Sequence, residues 1–219
     1  MSHCLAMLFA IALVGCATMS GATSLPSGDT RNWITYRVEV GGQVVQFMIP
    51  PGVSKDFLDP TVPQHIDLQQ PGLFDQAGSG PRLLSRHWDY RSGPFALVDG
   101  TLHAAIWLKN SEKPLIDSNA LQAAVSEGQE LSRIKDLMNG GYTGPPNPTT
   151  KFDAISVGGL QGFYVHYQTS LPDYVVAIDA HHYLVIYVDS SGVTNVGWRE
   201  DAKAAADAIL SSIRIEPKP

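Results

Sequence analysis

From Ala154 onward the chain reads as a succession of short apolar, β-branched and aromatic segments cut apart by turn residues: Ala154–Val157, Gly162–Thr169, Tyr174–Ile178 and Tyr183–Asp189. Gly158-Gly159, Leu171-Pro172 and Asp179-Ala180-His181-His182 separate them. Strand following strand with turn-length connections means antiparallel pairing, because parallel neighbours need a long crossover. The first half repeats the pattern. Ile34–Val40 and Gln43–Ile49 flank Gly41-Gly42, a hairpin signal because a type I′ turn needs positive φ at both central residues. Pro50-Pro51-Gly52 stops the second strand. Two more strands are expected at Leu83–Tyr90 and Ala96–Leu108, the latter interrupted by a turn at Asp99-Gly100. Between them and the first hairpin, Asp59–Pro81 carries Pro60, Pro63, Pro71 and Pro81 and reads as a long surface loop.

Two helices complete the set. Ser118 is the expected N-cap of the first, with Leu121, Val125, Leu131, Ile134 and Met138 as its apolar stripe and Gly140-Gly141 as its stop. The second runs from Trp198 to Ser212, with a stripe of Ala202, Ala205, Ala206, Ile209 and Ile213 small enough to lie close against a sheet, and Ile213-Arg214-Ile215 follows as a closing strand. The expectation is an α+β fold, an antiparallel sheet covered by two main helices. Gly144-Pro145-Pro146-Asn147-Pro148 is a stiff connector, but neither half alone has a complete set of elements, so residues 33–219 are read as one domain.

The first residues carry an address. Leu5–Val14 is an apolar run well short of the ~20 residues that cross a bilayer as a helix, so residues 1–15 read as a signal peptide. Its n-region, Met1-Ser2-His3-Cys4, lacks Lys and Arg. The run ends in Leu13-Val14-Gly15-Cys16, which resembles the lipobox of bacterial lipoproteins. That resemblance implies that Cys16 becomes the acylated N-terminus, with palmitate-type chains holding the protein to the membrane. Ala17, in place of Asp after the cysteine, implies the periplasmic face of the outer membrane. The alternative is an ordinary secretory signal cut near Ala17. Residues 16–32, small and polar, form a flexible tether.

The cysteine count adds a constraint. Cys4 leaves with the signal and Cys16 is spent on lipid, so the body has no disulfide and relies on its apolar core. Thiol nucleophiles and Cys-ligated zinc are excluded with it. A net charge of −6 argues against nucleic-acid binding, which needs a dense basic face.

Three segments carry a second resemblance. Phe47-Met48-Ile49-Pro50-Pro51-Gly52, Val157-Gly158-Gly159-Leu160-Gln161-Gly162-Phe163 and Ala208-Ile209-Leu210-Ser211-Ser212-Ile213-Arg214-Ile215 look like parts of the Mog1/PsbP-like fold. That fold occurs in small exported bacterial lipoproteins and in immunity proteins against secreted toxins. The resemblance spans most of residues 33–215, rests on turns and apolar spacing, and implies fold more than function.

Catalytic and cofactor motifs are missing. Neither G-x-x-x-x-G-K-[ST] nor G-x-G-x-x-G is present, Gly78-Ser79-Gly80-Pro81 lacks nucleophile-elbow spacing, and there is no HExxH. His65, His87, His103, His166, His181 and His182 are numerous, and Asp179 with His181 has a metal-pair spacing, but the pair falls where a turn is expected. No metal and no cofactor are therefore assigned. Contact residues are sought instead among half-exposed aromatics, Trp88 and Tyr90 foremost, and among Leu68, Leu73 and Phe74 on the Pro-rich loop. The alternative for both groups is packing over the core. The expectation that results is a lipid-anchored periplasmic protein that binds another macromolecule, in its specific form an immunity protein that blocks a toxin. A structural or accessory envelope lipoprotein is the alternative, and a hydrolase with an unrecognised site the third.

Overall fold

The structure is a computed structural model, and it describes residues 27–52, 62–92, 97–140, 151–157, 159–166, 173–192 and 197–219. The signal segment, Cys16, most of the tether and the Gly144–Pro148 connector lie outside the described residues.

Among the described residues, ten strands and two helices follow in the order β1 (Ile34–Val40), β2 (Gln43–Ile49), β3 (His65–Ile66), β4 (Ser79–Ser92), β5 (Leu97–Asn110), α1 (Ser118–Met138), β6 (Lys151–Val157), β7 (Leu160–His166), β8 (Asp173–Ala177), β9 (His182–Gly192), α2 (Trp198–Ser212) and β10 (Arg214–Pro217). The fold is α+β with mostly antiparallel sheets. There are two of them: a four-stranded sheet ordered β10-β2-β1-β3 and a six-stranded sheet ordered β4-β5-β9-β8-β7-β6. The single expected sheet is thereby corrected. The division follows from chain path, because β10 returns to pair with β2 rather than extending the larger sheet.

The first hairpin forms where expected, Val40 facing Gln43, but only Gly41 takes a positive φ, 56°; Gly42 does not, so the turn is not the expected type I′. Gly100 behaves otherwise than expected. It makes no turn; β5 runs through it, and a Cβ at this position would sit 2.4 Å from the indole of Trp198. The glycine is there for close approach of a helix to a strand, a role a dipeptide turn signal does not distinguish. Opposite it, the β4–β5 register shifts between Tyr90 and Arg91.

The main core lies between the sheets. Phe47 from β2, Leu102 and Ile106 from β5, Leu184 and Ile186 from β9, and Ile209 from α2 are all 1% exposed or less. Helix α2 touches β2, β5 and β9, so its small stripe, Ala202 and Ala205 with Ile209, fits between two layers. A smaller cluster lies on the other face of the six-stranded sheet, where Leu121 and Val125 of α1 meet Phe163, Val165, Val175 and Tyr183.

Helix α1 ends before Gly140 as expected but departs from expectation in its cap and in the stripe that it buries. Its N-cap is Asp117, whose Oδ1 accepts from the Ala120 amide at 2.9 Å, and Ser118 is already helical. Only Leu121 and Val125 of the expected stripe are buried, whereas Leu131, Ile134 and Met138 face solvent. At 3.6 residues per turn these three fall roughly a third of a turn away from the line of Leu121 and Val125.

Candidate functional site

Alternation along β5 sends Leu102, Ala104, Ile106 and Leu108 into the main core and leaves His103, Ala105, Trp107 and Lys109 on the opposite face. Across the ladder Lys109 faces Tyr183, Trp107 faces Val185, Ala105 faces Tyr187 and His103 faces Asp189. Helix α1 covers this face beside Tyr183. The result is one continuous strip, with a cleft of apolar and mixed-charge lining under the helix and a run of His, Asp and Tyr further along.

The cleft has a volume of about 490 Å³ and lies between Val125–Asp136 of α1 and the strands carrying Trp107, Lys109, Val175, Tyr183 and Val185. Gly128 stands at its wall with the Tyr183 hydroxyl 3.7 Å from where a Cβ would be. The Trp107 indole N–H is buried and has no hydrogen-bond acceptor among the described residues. Two cations lie against that ring, the Arg82 guanidinium 5.3 Å and the Lys109 ammonium 5.5 Å from its centroid. Lys109 Nζ donates to Ser79 Oγ at 2.5 Å. Burial holds this ammonium below its ordinary pKa, Asp75 opposing the shift and Arg82 adding to it. Burial also pushes the Tyr183 hydroxyl up to about 12. At the rim Arg133 pairs with Glu130 at 3.4 Å.

Further along, His87 Nε2 lies 3.1 Å from Asp89 Oδ1, and Arg91 donates to Asp89 Oδ2 at 2.8 Å. The His87 and His103 rings are 6.1 Å apart and His103 meets Tyr187 edge-on at 5.4 Å. Tyr187 donates to Asp189 Oδ2 at 2.8 Å, and burial, with that carboxylate beside it, raises the hydroxyl well above its usual range. The carboxylates here are engaged by their neighbours. Among the described residues no three His, Cys, Asp or Glu side chains converge to hold a metal. Asp179 and His181 sit in the β8–β9 turn, where Asp179 Oδ1 accepts from the His181 and His182 amides at 2.8 Å each.

The expected contact residues lie elsewhere. Trp88 and Tyr90 are 3% and 1% exposed, so the half-exposed rings expected of them are corrected. Trp88 spends its indole N–H on the Gly52 carbonyl at 2.9 Å, and Tyr90 packs on Trp198 with ring centroids 5.6 Å apart. Leu68, Leu73 and Phe74 are partly buried against the main core, and Phe74 stacks on His182 at 5.4 Å. The described part of the loop folds down because Asp75 ties its end, accepting from the amides of Ala77 and Ser79 at 2.8 and 2.9 Å. Trp107 is among the aromatic residues that the sequence offers as contact candidates, whereas Lys109 and Gly128 are passed over. Alternation along β5 is the available signal for Lys109, and the arrival of a glycine-bearing helix above it is not visible in the sequence. No protein-family model matches this chain, and no curated protein matches it.

Proposed function

We propose that this chain is a lipid-anchored envelope protein, fixed through Cys16 at the periplasmic face of the outer membrane, that binds another protein and carries out no chemistry on it. The observation that carries the reading is the outer surface of α1. Leu131, Ile134, Leu137 and Met138 are exposed over two turns, Met138 at 82%, and Ile116 just before the helix is 80% exposed. A cluster of large apolar side chains in water on one helix marks an interaction surface more often than scattered single ones do. Leu13-Val14-Gly15-Cys16 supports the address, and no described helix is long and apolar enough to cross a membrane. The succession of an N-terminal hairpin, a run of antiparallel strands and a terminal helix with its closing strand supports the Mog1/PsbP-like reading and two helices as the principal cover of the sheet.

The test is capture of partners from envelope extracts by the wild-type chain and by a Leu131→Ser, Ile134→Ser, Met138→Ser triple variant. A partner retained by the first and lost from the second is expected; identical partners from both would remove α1 as the surface. Toxin neutralisation is the specific form of this proposal. In a growth contest, deletion mutants should be killed by sister cells and grow normally alone, and equal survival in the contest would leave the accessory envelope role.

A further inference from the structure

We infer that two copies of this chain pair through the outer edge of β6, antiparallel about a two-fold axis at Ala154. An edge strand offers unpaired N–H and C=O groups to any extended chain, and folded proteins blunt such edges with short strands, prolines, bulges and charges. The described part of this molecule has four such edges, one at each end of its two sheets. Three of them are blunted. Strand β3 has two residues, β10 has four and ends in Pro217, and β4 carries Pro81 and three shifts of register against β5. Strand β6 is different: its seven residues pair in unbroken register with β7, neither proline nor glycine interrupts them, and Lys151 and Asp153 at one end are its only charges. Every second residue of such a strand turns its N–H and C=O away from its neighbour. Among the described residues no strand pairs with that outer side.

The residues of β6 fit a second copy of themselves. Phe152 packs on the α1 side, edge-on to Phe163 with ring centroids 6.4 Å apart, and Val157 packs against the main core. Alternation therefore puts Phe152, Ala154 and Ser156 on one face and Lys151, Asp153, Ile155 and Val157 on the other. A two-fold axis perpendicular to the sheet keeps each face on its own side, so residues of like face must oppose one another. Centred on Ala154, all seven residues find partners: Lys151 meets the second copy's Val157, Phe152 meets Ser156 and Asp153 meets Ile155. No like charges are opposed in this register, whereas centring on Asp153 would set two carboxylates against each other. Ala154 is small and exposed, which leaves the axis open for close approach. Because each copy has one such edge, the contact is isologous and closes at two copies instead of propagating into a fibre. It does not use the α1 ridge, so it is independent of the protein partner proposed above.

Native mass spectrometry of the full chain, purified in detergent, counts the copies. The wild-type chain is expected as a dimer. Ala154→Lys and Ala154→Glu each set like charges against each other at the axis, and either variant alone should dimerise at least tenfold more weakly. Mixed together, the two variants oppose unlike charges and should recover a heterodimer, which also shows that both are folded. A wild-type chain that stays single would overturn the inference, as would an Ala154→Lys chain that pairs as well as the wild type. So would a mixture that recovers no heterodimer while both variants melt at the wild-type temperature. Loss of a captured partner in Ala154→Lys, from a wild-type chain that is itself single, would give the edge to a foreign strand and equally overturn self-pairing.

Discussion

Two glycines in this chain do opposite things, and a single methyl group separates them. At position 100 a Cβ would meet the Trp198 indole at 2.4 Å, inside the main core where neither partner can move aside. Gly100→Ala should therefore destabilise the fold by about 1–3 kcal/mol or more, read as a lower midpoint in chemical denaturation. At position 128 the nearest atom to an added methyl is the Tyr183 hydroxyl at 3.7 Å, an ordinary contact, and the backbone is helical. Gly128→Ala should stabilise by about 0.5–1 kcal/mol in the same measurement. Asp179 supplies a pH dependence. Burial would raise its pKa, but amide bonds from His181 and His182 and the His182 ring outweigh this and hold it below the ordinary 3.8. A carboxyl depressed in the folded state contributes stability present above the unfolded value and lost as pH falls through the folded one. Thermal melting below about pH 4 should accordingly fall less steeply for Asp179→Asn than for the wild type.

At the scale of elements, α1 shows what a sequence discloses and what it withholds. Its extent is legible, since Gly140 and the apolar repeat bound it closely. Its cap lies one residue from where the sequence points, because Asp117 and Ser118 are both good capping types and only geometry chooses between them. Asp117→Ala should lower stability by about 1 kcal/mol, whereas Ser118→Ala should be near neutral, a difference that equilibrium unfolding resolves. Which stripe it buries is not legible at all. Leu121 and Val125 win because Phe163, Val165 and Val175 lie opposite them, and those contacts depend on strand order. The same holds for Trp107 and Lys109, whose face of β5 can be read from alternation but whose cleft exists only because a distant helix crosses over it. Helix α2 is legible at both ends, since its small residues suit one kind of seat.

For the whole molecule, the anchoring reading yields a direct expectation. Cys16→Ser should shift the protein from the membrane pellet to the soluble periplasmic fraction without altering its circular dichroism, and persistence in the pellet would count against acylation. The division into two sheets has its own reach. Strand β10 joins the small sheet through pairs such as Arg214 with Gln46 and Ile215 with Val45, across nearly the whole sequence. A polypeptide halted before position 214 would thus carry β2 with one flank bare, a ready template for adventitious partners. The β1–β2 hairpin can pair as soon as it is made, but the sheet that it belongs to is complete only when the last strand arrives.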